Sequence, residues 1–170
     1  MATTIGMKRT WGLVEEKRNA AHPTGYSASG IVVEVGNSIE DLVPGDRVAC
    51  AGSQYAHHAE FIRVSENLCV PLPDKLDWDS AATVTLGSIA IQGVRRAMPS
   101  LGETFAVIGL GILGQLSTQI LKVNGCRVIG IDLDRERISI AKKFGMDHGH
   151  HPEDADLDQV ARLTNGYGVD

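Results

Sequence analysis

Residues 109–114 read Gly-Leu-Gly-Ile-Leu-Gly and stand between an apolar run, Phe105-Ala106-Val107-Ile108, and a stretch with helical character. Glycines at this spacing in a strand-to-helix turn can hold a diphosphate. Gly109 permits the tight turn, Gly111 has no Cβ to keep the backbone from a phosphate, and Gly114 lets the helix approach the strand. The unpaired amides that open the helix, aided by its dipole, then face the negative charge. Asp132 lies 23 positions after Gly109, at the end of a second apolar run. A right-handed βαβ crossover would set its carboxylate beside an adenosine ribose, accepting from the 2′- and 3′-hydroxyls and repelling a 2′-phosphate. Arg135 is placed to stack on adenine or meet a phosphate. Leu110, Ile112, Leu113 and Leu133 complete the expected contact set. These residues predict an adenine dinucleotide, with NAD ahead of NADP. Two plainer readings stand beside this one: a glycine-rich connection that binds nothing, and a helix-capping aspartate, a role that suits Asp134 better.

Strand, glycine turn and helix must follow one another for that chemistry; the chain supplies that order once and then a second strand and helix without a glycine between them. Phe105–Ile108 reads as a strand, Ile112–Asn124 as a helix stopped by Gly125, Arg127–Ile131 as a strand, and Arg135–Phe144 as a helix stopped by Gly145. Alternation of this kind predicts a parallel sheet. The next strand is poorly specified, because residues 146–151, Met-Asp-His-Gly-His-His, have little β character, and a further helix is predicted from about 156 to 163. Upstream the pattern differs. Ile31–Val35 and Ala59–Val64 read as short strands, and Val43-Pro44-Gly45-Asp46 places Pro and Gly at the centre of a type II turn. A helix capped by Asp77 or Asp79 runs through Ser80-Ala81-Ala82 towards Arg95-Arg96, with Pro99 beyond it. The domains are drawn as an extension over 1–21, a β domain over 22–76 and a nucleotide-binding domain over 77–170.

The chain has 170 residues, 43% of them hydrophobic, enough for a core, and a formal charge of -5. Its Lys and Arg are scattered with no basic block, which argues against nucleic acid. No stretch reaches the roughly 18–20 apolar residues that span a bilayer, and the first nineteen residues have no apolar signal core, so a cytoplasmic location is expected. Cys50, Cys69 and Cys126 are widely spaced and are read as reduced, mostly buried thiols. His57-His58 and His148, His150 and His151 are read as histidines of solvated loops without a role.

With these motifs in hand, the chain resembles the medium-chain dehydrogenase/reductase superfamily, alcohol-dehydrogenase-like proteins that join a chaperonin-10-like β domain to a Rossmann domain. The resemblance rests on residues 25–36, Val43-Pro44-Gly45-Asp46-Arg47-Val48, Ala59-Glu60-Phe61, Ser80-Ala81-Ala82 and the glycine turn. It implies an α/β fold: a partial chaperonin-10-like domain followed by the first half of a doubly wound parallel sheet, cut at about its fourth strand. Tyr26-Ser27-Ala28-Ser29-Gly30 together with Asn67–Pro73 is similar to a bacterial subgroup in which such a module precedes a glucose-fructose oxidoreductase-like domain. Zinc-dependent members carry Gly-His-Glu where this chain has Gly25-Tyr26-Ser27, and a Cys ligand where it has Thr85. The four-cysteine structural loop has no counterpart either, because the segment from Cys50 to Phe61 holds one Cys. A catalytic zinc needs about three protein donors, so no zinc and no metal ligand are expected.

The resemblance implies hydride transfer between a nicotinamide and a carbonyl, alcohol or activated alkene of a small-molecule substrate. Without zinc, Tyr26 at the former ligand position is the candidate to donate to a developing oxyanion, with Thr85 and Ser27 in the same pocket. An ordinary tyrosine at a strand end is the competing reading. The 170 residues alone are expected to turn over little or no substrate and to expose an apolar sheet edge. A homo-oligomer is expected of the intact protein. The alternative is a non-catalytic nucleotide-binding or structural module.

Overall fold

The computed structural model describes residues 24–154 and 157–170; the extension drawn over 1–21 lies outside them. Two three-stranded sheets organise the described residues. The first is antiparallel: β1 (Ser27–Ile31), β2 (Arg47–Ala51) and β3 (Cys69–Pro71), in that order. Its core gathers Leu42, Val48, Cys50 and Ala56, with Val32, Val35, Ile62 and Val64 packed against them. The turn into β2 forms as its residues require. Gly45 has a φ of +102° and the amide of Asp46 donates to the carbonyl of Val43 at 3.1 Å, a conformation that favours Gly at the third turn position.

Two strand expectations are corrected. The predicted strand Ile31–Val35 lies earlier in the chain, at Ser27–Ile31. Its partner β2 has five residues, and Val32 already bonds to Gly45 and Asp46 of the turn, so β2 offers no further residue to pair with 33–35. Residues 59–64 form no strand: Ile62 and Val64 reach the core, but among the described residues no neighbouring strand takes up this segment's backbone groups. Side-chain alternation was present without a ladder.

The predicted helix over 80–96 is two helices, α1 (Trp78–Ala82) and α2 (Val84–Ala97). Asp77 is the cap, accepting from the amide of Ser80 at 2.8 Å, and that bond lowers its pKa. The chain bends at Thr83, whose hydroxyl donates to the carbonyl of Ser80 at 2.8 Å, a local bond that competes with helix continuation. Both helices pack on the first sheet. Arg47 fastens the connection, donating to the carbonyls of Pro73, Asp74 and Leu76 while its guanidinium lies 4.1 Å from the Trp78 ring centroid.

The second sheet is parallel: β4 (Thr104–Ile108), β5 (Arg127–Ile131) and β6 (His148–His150), in chain order. The helices between them are α3 (Ile112–Val123) and α4 (Arg135–Lys143), and α5 (Leu157–Leu163) follows β6. Leu110, Leu121, Val128, Ile138, Ala141 and Met146 form the core between sheet and helices. Gly125 and Gly145, at φ +83° and +99°, end α3 and α4 as expected. The poorly specified strand forms, and the solvated-loop reading of its histidines is corrected: His148 and His150 pair with Ile129 and Ile131, and His150 is buried. Gly149 explains how so polar a segment fits. A Cβ there would stand 2.5 Å from Ile138 and 2.6 Å from Met146, so only a glycine lets α4 close on the sheet edge.

Candidate dinucleotide-binding site

The site forms where β4 and β5 end side by side. Gly109 turns the chain at φ +88°, and its amide donates to the carbonyl of Ile131 at 2.8 Å, locking the turn to the neighbouring strand. Gly111 precedes α3 in extended conformation and caps it with no side chain, so the first amides of the helix keep their donors free of a side-chain acceptor. A Cβ on Gly111 would meet no atom within 4 Å, whereas one on Gly114 would lie 1.9 Å from the carbonyl oxygen of Gly109. The two glycines therefore do different work: Gly114 permits packing, and Gly111 leaves an approach to the backbone open.

Asp132 closes the turn from the other side. Its Oδ2 accepts from the Leu110 amide at 2.5 Å and its Oδ1 from the Asp134 amide at 2.8 Å, and the residue is 8% exposed. The Leu110 amide, then the Asp134 amide, with the Arg137 charge further off, hold its carboxyl below the usual carboxylate range against the opposing effect of burial. An ionised carboxylate offers about four lone-pair positions, so acceptor capacity remains after two amides are bound. Asp134 is the helix cap, accepting from Glu136 and Arg137, and leaves Asp132 free of that duty.

The residues between behave unequally. Leu110 is fully buried in the core, so its side chain is part of the packing and only its backbone belongs to the turn. Ile112 and Leu113 are partly exposed, while Ile108 and Leu133 are 82% and 79% exposed at the ends of the two strands. Arg135 is held by Asp154 in an ion pair, which raises the arginine pKa and lowers that of the aspartate. Sequence reasoning missed Gln115, whose Nε2 donates to the carbonyls of Leu110 and Arg137 at 3.0 and 2.8 Å. A polar residue directly after the third glycine was the available signal. It also missed His151, whose Nε2 lies 3.1 Å from the carbonyl of Leu133.

The other predicted residues lie at the seam between the first sheet and its helices. The Ser27 hydroxyl donates to the carbonyl of Ala82 at 2.5 Å and the Thr85 hydroxyl to that of Cys50 at 3.2 Å. Tyr26 stands just before β1, 42% exposed, and its carbonyl accepts from Gly52 at 3.0 Å. Among the described residues no three His, Cys, Asp or Glu side chains come together to hold a metal ion, and no helix is long and apolar enough to cross a membrane.

An antiparallel sheet with its helices, followed by parallel strands whose glycine turn is gripped by an aspartate, defines an α/β protein with a GroES-like unit beside a partial Rossmann-like sheet. Known families agree on both parts. Residues 5–74 match the alcohol dehydrogenase GroES-like domain and residues 113–170 match the zinc-binding dehydrogenase family. The zinc-type alcohol dehydrogenase-like protein YphC of Escherichia coli is 29% identical over 174 residues, covering 84% of this chain and 49% of its own length. Sorbitol dehydrogenase of Bos taurus is 29% identical over 170 residues, covering 84% and 48%. Escherichia coli quinone oxidoreductase, solved in complex with NADPH, superposes with a TM-score of 0.74 at 25% identity, covering 85% of this chain and 46% of that one. The chain belongs to the medium-chain dehydrogenase/reductase superfamily, and it spans about half the length of the curated relatives it matches.

Proposed function

We propose that this chain carries the adenosine-binding half of an NAD-dependent, zinc-independent oxidoreductase acting on a small carbonyl or alcohol substrate. The observation that supports it most is the contact of Asp132 with the Leu110 amide at 2.5 Å beside the open face of Gly111. The residues fit the group: a diphosphate takes the free amides of α3 at Gly111 and Ile112, and the ribose hydroxyls take the remaining acceptor capacity of Asp132. Leu133 and Ile108 offer apolar surface for the adenine. The ionised Asp132 disfavours a 2′-phosphate, and Arg135 and Arg137 are paired with Asp154 and Asp134, so neither is set aside for one. When bound, the nicotinamide cofactor supplies hydride chemistry. We also propose a division near residue 76, between β3 and α1, and a homo-oligomeric intact protein.

Titration calorimetry of the purified chain with NAD and NADP tests this reading. NAD is expected to bind in the micromolar to millimolar range and more tightly than NADP. Gly111→Ala is expected to melt like the parent, because its Cβ meets nothing, yet to weaken NAD binding by at least about tenfold, or 1.4 kcal/mol. Equal binding by parent and variant would sink the assignment of the turn.

Zinc independence is supported by the donors. Gly25-Tyr26-Ser27 stands where zinc-dependent members carry Gly-His-Glu, Thr85 stands where they carry Cys, and the Ser27 and Thr85 hydroxyls are committed to carbonyls. Tyr26, whose side chain stays exposed, is the group left to donate to a substrate oxygen. Elemental analysis of the intact protein is expected to find zinc well below one per chain; a stoichiometric, tightly held ion would refute this part.

A further inference from the structure

Cys50 and Cys69 are 19 residues apart in the chain but directly opposite each other in the antiparallel pair β2–β3, their Sγ atoms 3.7 Å apart. The ladder shows which kind of pair they form. The amide of Leu72 donates to the carbonyl of Arg47, so Arg47 and Leu72 are a hydrogen-bonded pair. Pairs alternate along an antiparallel ladder. Val48–Pro71 is therefore non-hydrogen-bonded, which suits a proline with no amide to offer. Ala49–Val70 is hydrogen-bonded, and Cys50–Cys69 is non-hydrogen-bonded again. At such positions the Cα atoms stand about 4.5 Å apart and the side chains are drawn together, inside the span of roughly 4.4–6.8 Å that a disulfide bridges.

We propose that Cys50 and Cys69 are a redox pair that closes reversibly into a cross-strand disulfide between β2 and β3. The two thiols divide the chemistry by exposure. Cys69 is part-exposed and Cys50 buried, and burial together with the Cys69 neighbour pushes the Cys50 thiol up to about 12, so Cys69 is the entry point. With glutathione disulfide as oxidant, the Cys69 thiolate attacks one glutathione sulfur and expels the other as thiolate, leaving a mixed disulfide. Cys50 then gives its proton to solvent and attacks the Cys69 sulfur, expelling the second glutathione. Two protein thiols are oxidised and one glutathione disulfide is reduced to two glutathiones. Because the Cys50 carbonyl holds the Thr85 hydroxyl at 3.2 Å, closure of the bridge adjoins the seam where α2 meets the sheet.

The test is to equilibrate the chain with glutathione disulfide, alkylate the remaining thiols and map the peptides by mass. The proposal expects two of three thiols to be lost, a Cys50–Cys69 linked peptide within one chain, an alkylated Cys126, and full recovery of thiols with dithiothreitol. Cys69→Ser is expected to abolish the linked peptide, whereas Cys126→Ser leaves it intact. Three alkylated cysteines after oxidation, a linkage through Cys126, or a bridge only between two chains would overturn it.

Discussion

Gly114→Ala is expected to destabilise the chain by about 3 kcal/mol, the upper end of ordinary overpacking costs, and to lower the thermal midpoint by roughly 6–12 °C for a chain of this size. The added methyl would sit 1.9 Å from the Gly109 carbonyl oxygen and 2.9 Å from its carbon. Neither atom belongs to a side chain that can rotate away, and Gly109 is itself fixed by its bond to Ile131. Relief therefore requires α3 to withdraw from the end of β4, opening the core around Leu110 and Leu121. Denaturant or thermal unfolding against the parent and Gly111→Ala reads the effect. A Gly114→Ala chain that melts within a degree or two of Gly111→Ala would show that helix and turn are not in contact as described.

Asp132→Ala should act twice, on stability and on binding. It strands the Leu110 amide without an acceptor in a site where the leucine is fully buried, at a cost of about 1–3 kcal/mol. It also removes the carboxylate proposed to receive the ribose hydroxyls, so NAD affinity is expected to fall at least about tenfold. The folded pKa of Asp132 is depressed, chiefly by the Leu110 amide. Its stabilising contribution is therefore complete above the unfolded value of about 3.9 and disappears as pH falls through the folded value. Melting the parent and Asp132→Asn from neutral pH to pH 3 should show the variant less stable at pH 7, with the gap narrowing in acid as the parent carboxyl protonates. A gap that stays constant down to pH 3 would mean that the charge plays no part in holding the turn.

How much was legible depends on the range of the interaction. Gly109, Gly114, Gly125 and Gly145 could be read because each answers to local backbone geometry or to one neighbouring element, and the structure uses each that way. The Pro44-Gly45 turn, the Asp134 cap and the span of β5 were legible for the same reason. Asp132 was found from its distance after the glycines, although its grip on Leu110 depends on two parallel strands ending at the same level. Residues 59–64 failed because alternation reports which side chains face inward and says nothing of a partner for the backbone.

The sequence by itself determined the order of elements in the parallel unit, the glycine turn and the acidic residue beside it, since each is written in a spacing of a few residues or in one strand-helix-strand repeat. Only the tertiary structure decided that the strand at His148–His150 forms, that Leu110 belongs to the core, that Arg135 pairs with Asp154, and that Cys50 faces Cys69. Those outcomes depend on what the fold sets alongside a segment: burial, a neighbouring strand or an opposite charge brought from elsewhere in the chain, none of which the segment's own residues specify.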